Sequence, residues 1–379
     1  VITWRRGAVR AIRREWQGAA ELEVAIAGTY VRALAYTGLT GRPEPGDEVL
    51  LNTNALDLGL GTGGYALVVA VPGRLPPDRD GSEASGRPGG PGHLVKARYT
   101  PLQTTVLGAD EQGSPYHDIL READDIGGIP VVIADLHSAL PAVLAAYFAQ
   151  RDTPAGAAPE AGLAGRDRVV YVMPDGGALP AWFSRTAAML RELGWLAATI
   201  TTGQAFGGDL ETVTLHSGLL AARHVLDASM VVVAQGPGNL GTGTRWGFSG
   251  VAAGEAVNAA AVLGGRPVAS LRVSDADPRV RHRGISHHSL TAYGRVALAR
   301  ADVVVPDLPG DFGARVRAEA GALGARHNLV TVGVEGLRDV LAACPVPLST
   351  MGRGLDEDLA YFLAAGAAGR HAAGVRATS

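Results

Sequence analysis

The chain has 379 residues, 47% hydrophobic and 19% charged, with a formal net charge of −3 and an isoelectric point of about 6.4. That length exceeds one ordinary domain, so two are expected, and the apolar share supports a large buried core. No basic field argues for nucleic acid, no long charge block suggests an interaction tail, and no window reaches the roughly 18 uninterrupted apolar residues that span a bilayer.

Residues 1 to about 72 read as short strands: Leu22–Ile26, Tyr30–Leu34, Val49–Leu51 and Tyr65–Val71 alternate or run apolar between Gly/Pro/Asp turns. That pattern predicts a small antiparallel barrel or sandwich. Residues 72–92 are dense in Gly, Pro, Asp, Arg and Ser, the composition of a flexible linker or loop, and a second such stretch runs over about 152–165. From about residue 93 strands and helices alternate. Strands are expected at Ile129–Ala134, Arg168–Met173, Leu196–Thr201, Met230–Ala234, Val268–Val273, Val303–Val305 and Leu329–Val332. Helices are expected at Leu140–Gln150, Leu179–Leu193, Leu210–Leu226, Ser249–Leu263, Ser289–Arg300 and Gly336–Ala343. A last helix, roughly Asp356–Ala368, would carry acidic residues in its first turn. This alternation predicts an α/β domain over 93–379, with a mostly parallel sheet covered by helices on both faces. The Ala-rich helix at 249–263 suits either core or a homodimer seam, and a homo-oligomer is expected.

Of the 34 basic residues only Lys96 is a lysine. This reads as codon bias toward arginine, with Lys96 a neutral survivor or an amine that arginine cannot replace. The lone Cys344 precedes Pro345, in an apolar context that reads as structural, and it excludes an internal disulfide. Val1–Arg6 has no secretory pattern, so a cytoplasmic bacterial protein is expected. The seven-residue echo between Leu136–Ala142 and Leu215–Ala221 reads as chance in Ala/Leu-rich sequence.

Ligands of open parallel sheets bind beyond the carboxyl ends of the strands, where loops converge. Those ends here carry Asp135 and His137, then Asp175, Thr201–Gln204, Gln235, Ser274–Asp275 and Asp307. Polar residues at strand ends also cap helices, so the coincidence across strands says more than any single member. Gly236-Pro-Gly-Asn-Leu-Gly241 formally matches a dinucleotide fingerprint. However, Pro237 removes an amide, Thr242–Phe248 delays the helix, and Asp275 follows Gly241 by 34 residues rather than about 20. No Gly-Lys-Ser/Thr follows, so it is not a P-loop. The favoured reading is a phosphate- or oxyanion-cradling loop using Gly236, Gly238, Asn239, Gly241, Thr242, Thr244 and Arg245.

Asp277–Ser289 is the richest polar cluster, with Arg279, Arg281, Arg283, His282, His287 and His288, and Ser286 or Ser289 as a helix cap. Arginine forks suit a carboxylate or phosphate, and histidines suit proton transfer. A metal held by Asp135, His137, His216 and His287 or His288 lacks any compact ligand motif, so no metal is assigned and the cofactor is left unknown. A hydrolase nucleophile is poorly supported, since Gly247-Phe-Ser-Gly-Val251 ends in valine.

Five segments, Leu51–Gly64, Lys96–Gln103, Gln235–Gly247, Arg281–Ala292 and Ser349–Gly354, resemble an uncharacterised bacterial family, the domain of unknown function numbered three-eight-six-six. The likeness covers essentially the whole chain and implies no activity. The residues themselves point to an enzyme, a hydrolase or transferase, acting on a small anionic or phosphorylated metabolite. In it, Arg281, Arg283, Ser286 and the glycine loop hold the anion, and His287 or His288 acts as general acid–base with Asp135 or Asp175 as orienting carboxylate. The alternatives are a small-ligand sensor, which needs anchors but no base, and a structural oligomeric scaffold.

Overall fold

The computed structural model describes residues 1–59, 63–75, 92–151, 167–176 and 180–375. The Gly/Pro-rich stretches expected at 72–92 and 152–165 fall largely or wholly outside the described residues. Two compact units divide the chain, Val1–Leu107 and Gly108–Ser379. Each is described by itself.

In the first unit β1 (Trp4–Trp16), β2 (Ala19–Ile26), β3 (Thr29–Tyr36), β4 (Glu48–Asn52) and β5 (Ala66–Ala70) close into a barrel of order β1-β2-β3-β5-β4. Alternate residues Leu22, Val24, Val49, Leu51 and Val68 face its interior. Closure rests on two local devices. Register shifts at Val9/Ala11 and Ile12/Arg14 bend the long β1 so that it pairs with both β2 and β4. Gly7 leaves room where a Cβ would lie 2.5 Å from Val24 Cγ1. The barrel is not wholly antiparallel, because β3 and β5 pair in parallel. The hairpin of β6 (Leu94–Lys96) and β7 (Thr104–Val106) falls within this unit, so the α/β unit begins at Gly108, where the sequence reading had set residue 93. Lys96 is fully buried.

The second unit is built on eight parallel strands: β8 (Pro130–Ala134), β9 (Val169–Met173), β10 (Ala198–Thr202), β11 (Leu210–Thr212), β12 (Met230–Ala234), β13 (Arg266–Ser270), and, after the short ladder β14 (Val273–Ser274) with β15 (Gly284–Ile285), β16 (Asp302–Asp307) and β17 (Asn328–Gly333). Their order is β11-β10-β9-β12-β8-β13-β16-β17. Burial on both faces explains the unbroken Val/Ile runs of β8, β9 and β12. Helices Leu140–Gln150, Leu337–Ala342 and Leu359–Gly374 pack together, the last of them against β8, β13, β16 and β17. Helices Leu215–His224 and Ala252–Val262 pack together against the opposite face.

The structure departs from the expected elements at several places. Leu210–Thr212, read as the start of a helix, is an edge strand paired with β10; the helix begins after Thr214, which forms a capping box with Ser217. Gly310–Ala320, not anticipated, is a helix between β16 and β17. The last helix starts at Leu359 rather than Asp356, so its first turn has no acidic residue.

Gly369 lets the last helix approach the helix Leu140–Gln150: a Cβ there would lie 2.1 Å from the Val143 carbonyl oxygen, whereas one at Gly366 would make ordinary contact at 3.6 Å. Gly369→Ala should therefore destabilise the unit by about 1–3 kcal/mol through overpacking. Gly366→Ala should be neutral or stabilising by up to about 1 kcal/mol through helix propensity. Chemical denaturation tests this packing: Gly369→Ala must lower stability and Gly366→Ala must not.

Candidate functional site

The connection leaving β8 runs to the helix Leu140–Gln150 on the side of the last helix, while that leaving β12 runs to Ala252–Val262 on the other side. β8 and β12 are neighbours, so the sheet parts its loops at their carboxyl ends and leaves a crevice. Asp135 follows β8 there and Gln235 follows β12, and Gln235 Nε2 donates to the Asp135 carbonyl at 2.6 Å. Gly250 closes the floor: a Cβ would lie 3.2 Å from Asp135 Cβ and 3.4 Å from Gln235 Nε2. The remaining cavity, lined by Asp135, Pro174, Gln235, Gly250 and Ala252, measures about 10 Å³, room for about one water.

β13, on the far side of β8, delivers Arg272 two residues past its end. Its guanidinium is almost wholly buried and lies 3.9 Å from Asp135 Oδ2 and 3.4 Å from Asp277 Oδ2. Asp277 is fully buried and takes a two-pronged hydrogen bond from Arg279 at 2.9 and 2.8 Å. Burial alone would raise its carboxyl, but the Arg279 hydrogen bonds and charge outweigh that and hold it far below the usual carboxylate range. The network continues through Arg353, the first residue of β19 (Arg353–Gly354), which pairs with β18 (Ser349–Thr350), to the buried Asp358 at 2.8 Å. Ser274 Oγ lies 2.9 Å from both Asp358 oxygens, tying the last helix to the ladder beneath the loop. Three arginines thus meet three aspartates, as burial of charge requires.

Above this network stand three imidazoles. His288 is buried, with Nδ1 3.5 Å from both Asp135 Oδ2 and Arg272 Nη1, and the Phe248 ring lies flat on it at 3.8 Å. His282 is buried, with Nδ1 2.7 Å from Ser286 Oγ, which also accepts the His288 backbone N–H. The half-buried His287 has its ring 4.4 Å from that of His288 and 5.0 Å from that of His282. Burial, then the charges of Arg272 and Arg279, pushes His282 down to about 3. Burial, then His288 and Arg281, pushes His287 down to about 4, so both rings are neutral at pH 7. Asp135 Oδ2, Gln235 Oε1 and His287 Nε2 are buried atoms without a hydrogen-bond partner. Such atoms concentrated in one place call for a ligand, water or ion.

Asp135, Ser286, His287 and His288, all predicted from the sequence, therefore meet. Asp175 does not join them: it is exposed and accepts the Gln204 backbone N–H at 2.8 Å. The 236–248 loop is largely bonded to itself. Thr242 and Thr244 lie 3.1 Å apart and bond the Gly247 backbone, and Asn239 accepts from Ser249 Oγ. Gly236 is buried, Gly238 takes φ +94°, and Gly241 bridges Phe248. The loop instead positions Phe248 on His288 and passes over Arg281, with Gly243 against that guanidinium. Arg281 and Arg245 are exposed, and neither forms an ion pair among the described residues. Arg283 Nε donates to the Asp277 carbonyl. His216 is exposed on its helix, away from this cluster, and His137 bonds Ser184 Oγ at 2.6 Å and Tyr171 OH at 3.2 Å.

Sequence reasoning missed Arg272, Phe248, Arg353 and Asp358. One signal was available for Arg272: a charged residue inside the apolar run Val268–Val273 is paired or functional when that run is buried.

A family model described as "Protein of unknown function (DUF3866)" matches residues 32–369. No curated protein and no solved structure matches the chain. Among the described residues, no helix is long and apolar enough to cross a membrane.

Arg272→Met should cost about 3–5 kcal/mol by leaving Asp135 buried without its cation. Arg281→Ala, at an exposed position, should stay within about 0.5 kcal/mol, so equal denaturation midpoints for the two would refute the network's structural weight. Burial also lowers His137 to about 4. An unfolded histidine takes up a proton near pH 6.5, so the unfolded state binds more protons between there and about 4, and stability falls as the pH falls. His137→Gln should make the acid-side slope of stability against pH shallower by up to one proton.

Proposed function

The chain belongs to the DUF3866 family, and we propose that it is an enzyme acting on a small anionic or phosphorylated metabolite, with acid–base chemistry at the imidazoles of His287 and His288. One observation carries this reading: Asp135 Oδ2 is buried, lacks a hydrogen bond and stands 3.5 Å from His288 Nδ1. A carboxylate so placed fixes the tautomer of an imidazole and stabilises positive charge developing on it. Asp175 is the weaker candidate for that role, since its carboxylate is already occupied at the Gln204 backbone.

The second requirement is a counter-charge for the substrate. Arg272, Arg279 and Arg353 are neutralised by their aspartates, so they build the site rather than bind its ligand. Arg281 and Arg245, exposed at the rim beside the glycine loop, retain their charge for an anion. Gly236–Thr244 shapes the entrance, and Arg283 and Ser286 hold the histidine segment in place. A sensor would need the rim arginines but no buried Asp–His pair, and the presence of that pair favours catalysis.

The test is a thermal-shift screen of the full chain against inorganic phosphate, phosphomonoesters and small carboxylates, with turnover assayed for any compound that stabilises. Arg281→Ala should abolish the shift. His287→Ala and His288→Ala should retain the shift but lower turnover by about 10²–10⁴-fold. Unchanged turnover in both histidine variants would overturn the reading.

A further inference from the structure

We propose that His282, His287 and His288 together hold one divalent transition-metal ion of the zinc class, with Asp135 and Ser286 orienting two of the rings. The inference rests on the enzyme reading above but moves its base from the imidazoles to a water that they would hold on the ion. General acid–base chemistry needs one imidazole. Here three come from one short segment, and one ligand nitrogen from each lies within 4.8 Å of the other two.

The hydrogen bonds show which nitrogens are spoken for. Nδ1 of His282 is engaged by Ser286 Oγ, and Nδ1 of His288 faces Asp135 and Arg272. Nε2 is therefore the free nitrogen on both rings. On His287, Nε2 is buried with no partner at all. An ion bound through Nε2 fixes each ring as the Nδ1–H tautomer. On His282 that hydrogen is donated to Ser286 Oγ. As the structure stands, Arg272 Nη1 is placed to donate to His288 Nδ1 at 3.5 Å. An ion on Nε2 would put a hydrogen on Nδ1 instead, facing Asp135 Oδ2 at 3.5 Å, the carboxylate–histidine–metal arrangement that raises ligand basicity. A single ion thus gives the unpartnered buried His287 Nε2 its partner.

Ligand type and number narrow the ion. Three imidazole nitrogens suit zinc and its neighbours rather than magnesium or calcium, which prefer oxygen. Three protein ligands also leave a fourth position for water, the pattern of catalytic rather than structural zinc. Bound water of this kind gives up a proton near neutral pH, so it can serve as the base of the site. Phe248 lies against His288 with an interplanar angle of 3°, holding the ring plane and covering one side of it. The charges of the buried Arg272 and the partly exposed Arg279 are offset by Asp135 and Asp277.

The experiment strips the full chain with a chelator, titrates Zn²⁺, Co²⁺ and Mg²⁺ back, counts bound metal and records the visible spectrum of the cobalt form. We expect one zinc or cobalt per chain, cobalt bands of a four- or five-coordinate nitrogen site, and no competition from magnesium. His282→Ala and His287→Gln should abolish binding, Asp135→Asn should weaken it about 10–100-fold, and His216→Ala should leave it unchanged. His287 is half-buried, so His287→Gln keeps the test decisive even where His282→Ala fails to fold. Absence of stoichiometric metal, or binding unchanged in His287→Gln, overturns the proposal. If chelated protein still turns over a phosphomonoester or carboxylate in a His288-dependent way, the metal inference falls and the enzyme reading stands. If metal binds as described but no anionic compound shifts stability or turns over, the metal site stands and the enzyme reading falls.

Discussion

Arg272 is the group on which the rest of the second unit's carboxyl edge depends. A guanidinium cannot shed its proton, so burying it obliges the fold to surround it with acceptors. Asp135 and Asp277 meet that demand from opposite sides. Asp277 then recruits Arg279 and Arg353, and Arg353 recruits Asp358. One buried cation thereby links the end of β8, the 275–283 loop, the start of β19 and the start of the last helix. Nearby arginines add to burial in keeping His282 and His287 neutral, so the charge network also tunes these two rings.

Topology explains why these groups meet. Because β8 and β12 send their connections to opposite faces, the backbone opens at their carboxyl ends, and Asp135 and Gln235 line the gap. β13 lies on the other side of β8 and brings Arg272 to the same level. The backbone around Arg272 is held in turn: its N–H donates to Ser289 Oγ, and its carbonyl accepts from the Ser286 N–H. Histidines and arginine are therefore positioned by one small ladder, β14 with β15, and not by a free loop. Three of the segments that carry the family resemblance, 235–247, 281–292 and 349–354, supply Gln235, the histidines and Arg353 to this one place.

The glycine loop has a different part from the one its composition suggests. Its threonine and Asn239 side chains are bonded to the Gly247 backbone and to Ser249, so these side chains are already engaged within the loop. What it contributes is Phe248, stacked on His288, and a backbone passing close to Arg281. Rigid placement of this sort favours chemistry that depends on fixed ring orientation.

Much of this was legible in the sequence, for definite reasons. Period-two alternation in Leu22–Ile26 and Tyr30–Leu34 marks barrel strands, and the doubly buried runs at 130–134 and 230–234 mark parallel strands, because burial directly constrains side-chain polarity. Asp135, Ser286, His287 and His288 were legible because strand ends and capped helix starts carry local signals. Short-range competition misled at Leu210–Thr212, where pairing with β10 overrode a helical pattern, and at Asp358, which binds Ser274 and Arg353 instead of serving a first helical turn. The sequence by itself determined the two architectures and the edge of the sheet where the polar residues gather. Tertiary structure alone decided that Arg272 is their hub, that Asp135 rather than Asp175 faces an imidazole, and that three rings converge. Those facts arise from contacts between residues up to 153 positions apart, such as Arg272 with Asp135 across 137 and His288 with Asp135, and such distances leave no periodic trace in the chain.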